Sequence, residues 1–363
     1  MNKPISSPAT SLSQPSGKRK LRWSRRGLLR FFWLALAVAL LWLTLRTVEL
    51  GAVWARLSQL QPGQLLLLFA VNLLVLATFS ARWWLLLFAQ GYRVPYPALM
   101  VYRLATFAVS YFTPGPHFGG EPLQVYLVTA RHGVPAPVSV AAVVLDKVLE
   151  MLANFTFLAL GAFVVVHYQL APGAGDSSFV AIIVLLLLVP IGVLGILAAG
   201  WHPVSRPLAI LDGYWQRVRQ WRGLPVQPFT AGRAFQATVA SEEQCTWLCR
   251  RHPWILVAAL GASAISWFAI MGEFWYMTGV LGLDLTFVEA MVALLAARLA
   301  ILLPLPAALG ALEASQVLAM QSIGLPAADG VSLSLLIRGR DVLLGVMGLV
   351  IAAGLLGWWK RKA

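Results

Sequence analysis

Charged residues are scarce in this sequence, and acidic ones are the scarcest. Of 363 residues only 12% are charged, and the 14 Asp and Glu compare with 28 Lys and Arg. A soluble domain carries about a quarter charged residues. Because 59% of the residues are hydrophobic and the mean hydropathy is +0.76, a water-soluble fold would lack the polar surface to cover them. The composition excludes an ordinary soluble domain and indicates a membrane protein.

Residues that carry redox, metal or catalytic chemistry are also few. The two cysteines, Cys245 and Cys249, fall in a segment predicted to be cytosolic, where a structural disulfide is not expected. Their i, i+4 spacing has no further Cys or His partners and is typical of one helical face. The sequence shows no Walker-type loop, metal cluster or nucleophile constellation. We therefore expect no metal and no cofactor.

Long apolar blocks predict the fold. Crossing about 30 Å of hydrocarbon takes roughly 20 apolar residues in a helix, and every backbone polar group must be satisfied within the protein. We predict an all-α fold, a polytopic transmembrane helical bundle, with residues 27–359 as one membrane domain. The apolar blocks are 31–45, 65–88, 98–112, 138–167, 179–200, 254–277, 286–303, 309–323 and 331–359.

The net charge of +14 sits at the ends of these blocks, which is typical of membrane topology and of contact with anionic lipids. No nucleic-acid-binding module is present, so we expect no nucleic-acid partner. Residues 1–26 form a basic tail, disordered by composition; residues 201–253 form an arginine-rich loop, and residues 360–363 a second basic tail. The positive-inside rule places all three in the cytoplasm of a bacterial cell with a multi-pass protein in its inner membrane. The loop around Asp176 has no Lys or Arg and is predicted outside.

Part of the 201–253 loop has an amphipathic pattern. Its apolar positions, which recur at helical spacing among arginines, are Leu208, Leu211, Tyr214, Trp215, Val218 and Trp221. Such a helix lies on the membrane surface or packs beneath the bundle. The sequence leaves both placements open.

A break rich in Pro and Gly interrupts the region 98–132. Residues 113–122 read Thr-Pro-Gly-Pro-His-Phe-Gly-Gly-Glu-Pro. Irregular backbone is tolerated at membrane depth only where it is buried in protein or lines a cavity, so the break predicts a broken or re-entrant helix pair. The segments 98–132 and 286–323 either cross fully or re-enter. His117, within the break, fits either a proton relay or an ordinary loop residue.

Two distant segments repeat one order of features. The first contains Arg103-Leu104-Ala105, Gly119-Gly120-Glu121, Gly133-Val134-Pro135-Ala136 and a long helix with Asp146-Lys147. The second contains Arg298-Leu299-Ala300, Gly310-Ala311-Leu312-Glu313, Gly324-Leu325-Pro326-Ala327 and a long helix with Arg338 and Asp341. By the charge bias the two units enter from opposite sides. We predict inverted repeats, an architecture of secondary transporters whose sites lie near the midplane.

The candidate site centres on Glu121 and Glu313. A carboxylate inside the bilayer is costly unless it is paired or hydrated, and adjacent glycines expose backbone N–H groups that an anionic headgroup can use. In one interpretation arginines and amides hold a lipid phosphate, while the glutamates orient the arginines or bind a cationic headgroup or proton. In the other, these residues form structural ion pairs that fix the broken helices. The candidate substrate-binding residues are Arg103, Gly119, Gly120, Glu121, Lys147, Arg298, Gly310, Glu313 and Arg338.

Residues 114–122, Pro-Gly-x-x-x-Gly-Gly-Glu-Pro, and residues 306–313, Pro-x-x-x-Gly-x-x-Glu, resemble the membrane region of bacterial lysyl-phosphatidylglycerol synthases, part of a wider family of flippase-like proteins. The resemblance covers about residues 30–358 and implies movement of a lipid between leaflets. In the full synthases a separate soluble domain makes the lipid. That domain is not expected here, because the chain stops at Ala363, so synthase activity is not expected. Ala307 and Ala308 stand where the resemblance leads us to expect glycine, which predicts a less open second loop.

These observations predict a translocator (flippase) of a phospholipid, a polyprenyl-linked lipid or another lipid, and not an enzyme. Its expected partners are membrane lipids, in particular anionic ones, with a lipid-modifying enzyme as a further candidate. Two alternatives stay open. An intramembrane enzyme would use the same carboxylates as acid and base and alter the headgroup, whereas a scaffold would recruit a partner through residues 201–253.

Overall fold

The structure is all-helical over the residues it describes. This computed structural model describes residues 50–112, 119–167, 177–222, 225, 228–303 and 305–359, and every regular element among them is a helix. The predicted all-α fold is confirmed. The first predicted block (31–45), both basic tails, most of the Pro/Gly break with His117, and the loop around Asp176 lie outside the described residues.

Most helices follow the apolar blocks of the sequence to within a few residues. The helices are α1 (Leu50–Leu57), α2 (Pro62–Ala89), α3 (Tyr96–Phe112), α4 (Glu121–His132), α5 (Ala136–His167), α6 (Ser177–Ala199), α7 (Ser205–Trp221), α8 (Arg233–Arg251), α9 (Pro253–Val280), α10 (Phe287–Ile301), α11 (Ala311–Ser322) and α12 (Ala327–Trp359). Of these, α1, α4, α7 and α8 lie outside the apolar blocks. Short 3-10 turns occupy Phe229–Ala231 and Pro306–Ala308. By length and composition, α2, α5 and α9 can each cross a membrane.

Eight of these helices form two units of matching lengths. Helices α2 to α5 contain 28, 17, 12 and 32 residues, and α9 to α12 contain 28, 15, 12 and 33. Helices α2 and α9 both begin at a proline, Pro62 and Pro253, and start 191 positions apart (253 minus 62). The same interval separates the starts of α3 and α10 and those of α5 and α12. The predicted repeat is therefore present, and each unit also includes the long apolar helix that precedes the predicted segment.

Glycines in the left-handed backbone region follow corresponding helices of the two units. Gly91 (φ 86°) follows α2, and Gly282 (φ 68°) follows α9, 191 positions later (282 minus 91). Gly133 (φ 67°) follows α4, and Gly324 (φ 83°) follows α11, again 191 positions later. A left-handed residue closes a helix C-terminus, and glycine adopts that conformation without a steric penalty. The repeat therefore extends to the turns.

Each unit packs its second helix against the last helix of the other unit. Helix α3 lies against α12 and α10 lies against α5, while α2 and α9 pack together. At Gly348 of α12 a Cβ atom would lie 2.3 Å from the carbonyl oxygen of Leu104, so only glycine permits this approach to α3. The reciprocal packing agrees with the predicted repeat. The opposite orientation of the units across a bilayer stays a prediction.

The arginine-rich segment 201–253 forms helices α7 and α8. Helix α8 packs on α5 and α6 and buries Cys245, Leu248 and Cys249. Burial raises the pKa of Cys245 to about 12 and that of Cys249 to about 11. Both are therefore neutral thiols near neutral pH, and they lie on one helical face, as their spacing predicted.

Candidate functional site

A charged cavity lies between the two units. It has a volume of about 240 Å³ and is bounded by residues of α2, α3, α4, α5, α9, α10 and α12. Its ionisable lining residues are Arg103, Glu121, Asp146, Lys147, Glu150, Glu273, Arg298, Arg340 and Asp341. Charges at membrane depth are costly, so a cluster of this size in a chain so poor in charge marks a candidate functional site.

Two carboxylates on α5 hold two arginines at the cavity. Asp146 accepts from Arg82 Nε at 2.6 Å and from Arg103 Nη1 at 2.5 Å. Glu150 Oε2 lies 3.1 Å from Arg82 Nη2 and 3.3 Å from Arg103 Nη2. The two acids are one helical turn apart, so their carboxylates face the same side. Arg82 is 1% exposed, and this double pairing is what makes burial of its charge tolerable.

Lys147 joins the same cluster to Glu121. Its Nζ lies 3.4 Å from Glu121 Oε1 and 3.2 Å from Glu150 Oε1. Glu121 is the first residue of α4, and its Oε2 accepts from the backbone N–H of Gly119 at 2.8 Å. The side chains of Glu121 and Lys147 are each 23% exposed. This pair is therefore reachable by water or by a ligand in the cavity.

A second ion cluster comes from α9 and α12. Glu273, which is buried, accepts from Arg340 and, at 2.7 Å, from Asn72 Nδ2. Arg340 also pairs with Asp341 at 2.8 Å. The cavity thus has one ion cluster built on the last helix of each unit.

The contact between α2 and α9 repeats with its charge reversed. In the 191-position register Asn72 corresponds to Ser263, and Arg82 corresponds to Glu273. Arg82 Nη1 donates to Ser263 Oγ at 2.9 Å, and Asn72 donates to Glu273 at 2.7 Å. In each unit the first of these positions therefore contacts the second position of the other unit. The second position is a cation in α2 and a carboxylate in α9.

Two donors of the cavity lack acceptors among the described residues. The Arg298 guanidinium lies over the Trp267 ring, 4.8 Å from its centroid, and forms no hydrogen bond or ion pair with another described residue. Gln124 is 3% exposed, and its Nε2 has no acceptor in the described part of the chain. For Gln124, which is buried, the missing acceptor costs about 1–3 kcal/mol; Arg298 is only partly buried. Both donors fit a ligand rich in oxygen acceptors.

An apolar groove adjoins the cavity. It has a volume of about 470 Å³ and is lined mainly by leucines of α1, α2 and α12. Asn72, Arg340 and Leu344 line both spaces. A charged compartment beside an apolar one fits an amphiphile, with the headgroup among the charges and the hydrocarbon chain against the leucines.

Glu313 belongs to a separate, buried cluster. Its Oε1 lies 2.6 Å from Arg338 Nη2, and its Oε2 accepts from the backbone N–H of Gly310 at 2.9 Å. Arg338 also donates to the carbonyl oxygen of Ala307 at 3.2 Å. Ala307 and Ala308 have φ of 49° and 50°, a region in which glycine is favoured. The loop therefore closes on Arg338, with alanines where the sequence comparison expected glycine.

The structure brings together some of the predicted site residues and separates others. The cavity is lined by Arg103, Glu121, Lys147 and Arg298, whereas Gly310, Glu313 and Arg338 form the buried cluster. The two glutamates therefore do not meet in this cavity. In the 191-position register Arg103 aligns with Leu294, and Arg298 aligns with Phe107. The two arginines are therefore not counterparts, although the repeat predicted from the sequence paired them.

Gly119 and Gly120 support the chain before α4. Gly119 (φ 141°) donates to Glu121, and Gly120 donates to Ser110 Oγ at 3.0 Å. A Cβ atom on Gly120 would lie 2.3 Å from the carbonyl oxygen of Thr106. Their amides are thus engaged within the protein, and these glycines position Glu121.

Several residues of the site were not among the predicted ones, namely Arg82, Gln124, Asp146, Glu150, Glu273, Arg340 and Asp341. Arg82 lies within an apolar block of the sequence, and in the structure it is 1% exposed and paired inside the bundle. Glu273 is the one acidic residue of α9. An acidic residue within an apolar block could have identified it from the sequence, because such residues are costly in a membrane and usually functional. Gln124 lies three residues after Glu121, and Gln316 three after Glu313; this shared Glu-x-x-Gln pattern also went unnoticed.

Comparisons with known proteins find similar membrane proteins. A family model described as the lysylphosphatidylglycerol synthase TM region matches residues 31–348. The UPF0104 membrane protein MJ1595 of Methanocaldococcus jannaschii is 26% identical over 110 residues, which are 30% of this chain and 33% of that protein. A UPF0104 membrane protein of Methanothermobacter thermautotrophicus is 26% identical over 121 residues, 33% of this chain and 34% of that protein.

The matched part thus spans about a third of each of these two relatives. No solved structure matches the chain significantly. The family model, by contrast, covers most of the sequence and includes the described residues of both helical units up to residue 348. The chain is therefore an integral membrane protein that belongs to the family of the lysylphosphatidylglycerol synthase transmembrane region.

Proposed function

We propose that this protein translocates a lipid with a phosphate-bearing headgroup between the leaflets of the membrane. The observation that supports this most directly is the junction of the charged cavity with the apolar groove at Asn72, Arg340 and Leu344. The apolar groove would not bind a water-soluble solute, and the ion clusters would not bind a purely apolar molecule. Phospholipids and polyprenyl-linked lipids share the required chemistry.

Two donors of the cavity, one on Arg298 and one on Gln124, have a role within this proposal. Arg298 and Gln124 hold the phosphate oxygens, because no described residue occupies either donor. Asp146 and Glu150 fix Arg82 and Arg103 in place. Hydrogen bonds to a charged partner are among the stronger ones in proteins.

Charge balance in the cavity favours release as well as binding. Four cations and five carboxylates line it, and Arg82, paired to two of the carboxylates, makes the numbers equal. A substrate pathway must bind strongly enough for entry and weakly enough for exit. A balanced wall meets that requirement better than a wall of arginines.

We also propose the sidedness that the charge bias indicates, with both termini and segment 201–253 in the cytoplasm of a bacterial inner membrane. The exposed Arg233 and Arg251 of α8 supply suitable reporter positions. Single cysteines introduced there should react with a membrane-impermeant maleimide only after the membrane is opened. Labelling of these cysteines in intact cells would show that the protein has the opposite orientation.

Reconstituted vesicles test the translocation proposal. Arg298→Gln should slow the movement of NBD-labelled phosphatidylglycerol by about tenfold or more, since a hydrogen bond to a charged group contributes about 1.5–3 kcal/mol. Arg251→Gln, which removes an exposed arginine of α8, is the matched control and should leave the rate unchanged. Gel filtration and thermal unfolding establish that both variants are folded.

Two outcomes would contradict the proposal. One is an unchanged rate for labelled phosphatidylglycerol, phosphatidylcholine and polyprenyl phosphate when Arg298 is replaced. The other is a chemically altered lipid on mass spectrometry, which would favour the intramembrane enzyme. Intact lipid in the opposite leaflet supports translocation.

A further inference from the structure

Helix α7 presents a broad apolar face away from the rest of the protein. Exposed fractions are 72% for Ile210, 67% for Tyr214, 56% for Trp215 and 86% for Trp221. At 100° per residue these side chains lie on one side of the helix. An uncovered aromatic and aliphatic face of this kind marks an interaction surface.

The opposite edge of α7 is held by two buried carboxylates. Glu242 of α8 accepts from the backbone N–H of Val204 at 2.6 Å and from the backbone N–H and hydroxyl of Ser205. Asp212 of α7 accepts from Thr230 Oγ1 at 2.8 Å and from Gln216 Nε2 at 2.8 Å. Because this edge is fixed to α8 and to the turn before it, the apolar face is directed outward by the fold itself.

Interfacial residues flank α7 along the chain. Trp201, 64% exposed, follows the end of α6, and Trp254, 80% exposed, stands in the first turn of α9, which is long and apolar enough to cross a membrane. Exposed tryptophans at the ends of spanning helices lie at the headgroup level. The short connection from α6 to α7 keeps α7 near that level, beside the bundle.

Arginines border the apolar face. Arg206 and Arg217 are exposed along one edge of α7, and Arg222 is exposed just after its end. Long basic side chains can place their stems along the apolar face while their guanidinium groups reach the phosphates of lipids. The wider segment 201–253 has seven arginines against three acids, of which Glu242 and Asp212 are already occupied.

From these observations we infer that α7 is an interfacial anchor that inserts its apolar face into the anionic leaflet next to the ends of α6 and α9. The ligand is a lipid surface rather than a single lipid, because the face is convex and is bordered by cations instead of enclosing a pocket. This surface is distinct from the charged cavity and does not depend on transport. The sequence left open whether this helix lies on the membrane surface or packs beneath the bundle, and our inference favours the membrane surface.

Depth measurements on the full chain test the anchor. Single cysteines replace Tyr214, on the apolar face, and Gln220, an exposed position on the other side of the helix. The native cysteines are buried thiols with raised pKa values, so an NBD iodoacetamide should label the introduced sites preferentially, and the unsubstituted protein measures the background. In vesicles that contain phosphatidylglycerol, lipids brominated on their acyl chains should quench the probe at 214 several-fold more than the probe at 220, and aqueous iodide should show the reverse order.

Charge removal tests the anionic part of the inference. Arg206→Gln, Arg217→Gln and Arg222→Gln should each lower the ratio of inserted to water-exposed probe by about fivefold in phosphatidylglycerol vesicles, with little effect in phosphatidylcholine. Equal iodide quenching at 214 and 220 in the vesicles would overturn the anchor and leave a partner protein as the occupant. A probe at 214 shielded by a second copy, detected as dipolar coupling between spin labels, would overturn it as well.

Discussion

The short helices α4 and α11 begin with the same arrangement and differ in how far it opens to the cavity. Glu121 and Glu313 each accept a hydrogen bond from the backbone N–H of a preceding glycine and pair with a cation on the next helix. The Glu121–Lys147 pair is 3.4 Å apart with 23% exposure of both side chains. The Glu313–Arg338 pair is 2.6 Å apart with 2% and 14% exposure.

This difference separates two roles of an intramembrane ion pair. A tight buried pair fixes a broken helix, because breaking it leaves an uncompensated charge. A looser, partly exposed pair contributes less to stability and can exchange partners with a ligand. We therefore expect the structural interpretation, an ion pair that fixes a broken helix, to hold for Glu313 and the functional interpretation to hold for Glu121.

The largest expected effect comes from breaking the buried pair. Glu313→Gln should lower the free energy of unfolding by about 3–5 kcal/mol, since Arg338 would remain buried without its carboxylate. Chemical unfolding in detergent micelles measures the change. The double variant Glu313→Leu with Arg338→Met is the control and should recover most of the loss.

Packing between the units gives the second effect. Gly348→Ala should cost about 1–3 kcal/mol, because the new methyl group would meet the rigid carbonyl oxygen of Leu104 at 2.3 Å. Gly161→Ala on α5 meets only the end of the Leu295 side chain, at 3.0 Å, and should cost less. Gly354→Ala on α12, with nothing within 4 Å, is the matched control. Equal melting temperatures for Gly348→Ala and Gly354→Ala would disprove the close approach.

Breaking the open pair should affect stability little and transport more. Glu121→Gln should change the free energy of unfolding by less than about 1 kcal/mol, because the pair is partly exposed. Lipid movement in vesicles should nonetheless fall, since Lys147 would then turn fully toward Glu150. A loss of stability as large as that of Glu313→Gln would remove the distinction between the two pairs.

The smallest effect concerns the loop before α11. Ala307→Gly should stabilise the protein by about 0.5–1 kcal/mol, because the left-handed backbone costs alanine roughly 1–2 kcal/mol and the added chain entropy offsets part of the gain. Ala314→Gly, within α11, should have the opposite sign. Thermal unfolding of both variants tests the reversal. Destabilisation by Ala307→Gly would show that φ of 49° is not strained there.

Hydropathy and Pro/Gly signals were sufficient for the positions of the apolar helices and for the repeat, whereas α1 and α8 were not predicted. The helices α2 and α9 were not predicted to belong to the repeat, because two uniformly apolar segments share no motif. Gly91 and Gly282, which follow these helices, nevertheless stand 191 positions apart. The difference between Glu121 and Glu313 could not be predicted. Both have glycine before them and a cation at nearly equal distance along the chain, and exposure depends on tertiary contacts.

The partners of the cavity charges were also beyond the sequence. Arg82 pairs with Asp146, 64 positions away, and Glu273 with Asn72, 201 positions away. Such contacts require knowing which helices touch. In the sequence, Arg82 near the end of an apolar block cannot be told from an arginine that faces lipid headgroups. Only its burial in the structure distinguishes a paired residue inside the bundle from one at the membrane surface.

The charge reversal between Arg82 and Glu273 has a consequence for ancestry. A symmetric assembly of two copies of residues 62–167 would place an arginine at both positions, and Leu149 would stand where Arg340 stands now. The cluster built on Glu273 could not form in such an assembly. If the chain arose by duplication, the cavity in its present form is younger than that event, and it exists only because the two halves have since become unlike within one polypeptide.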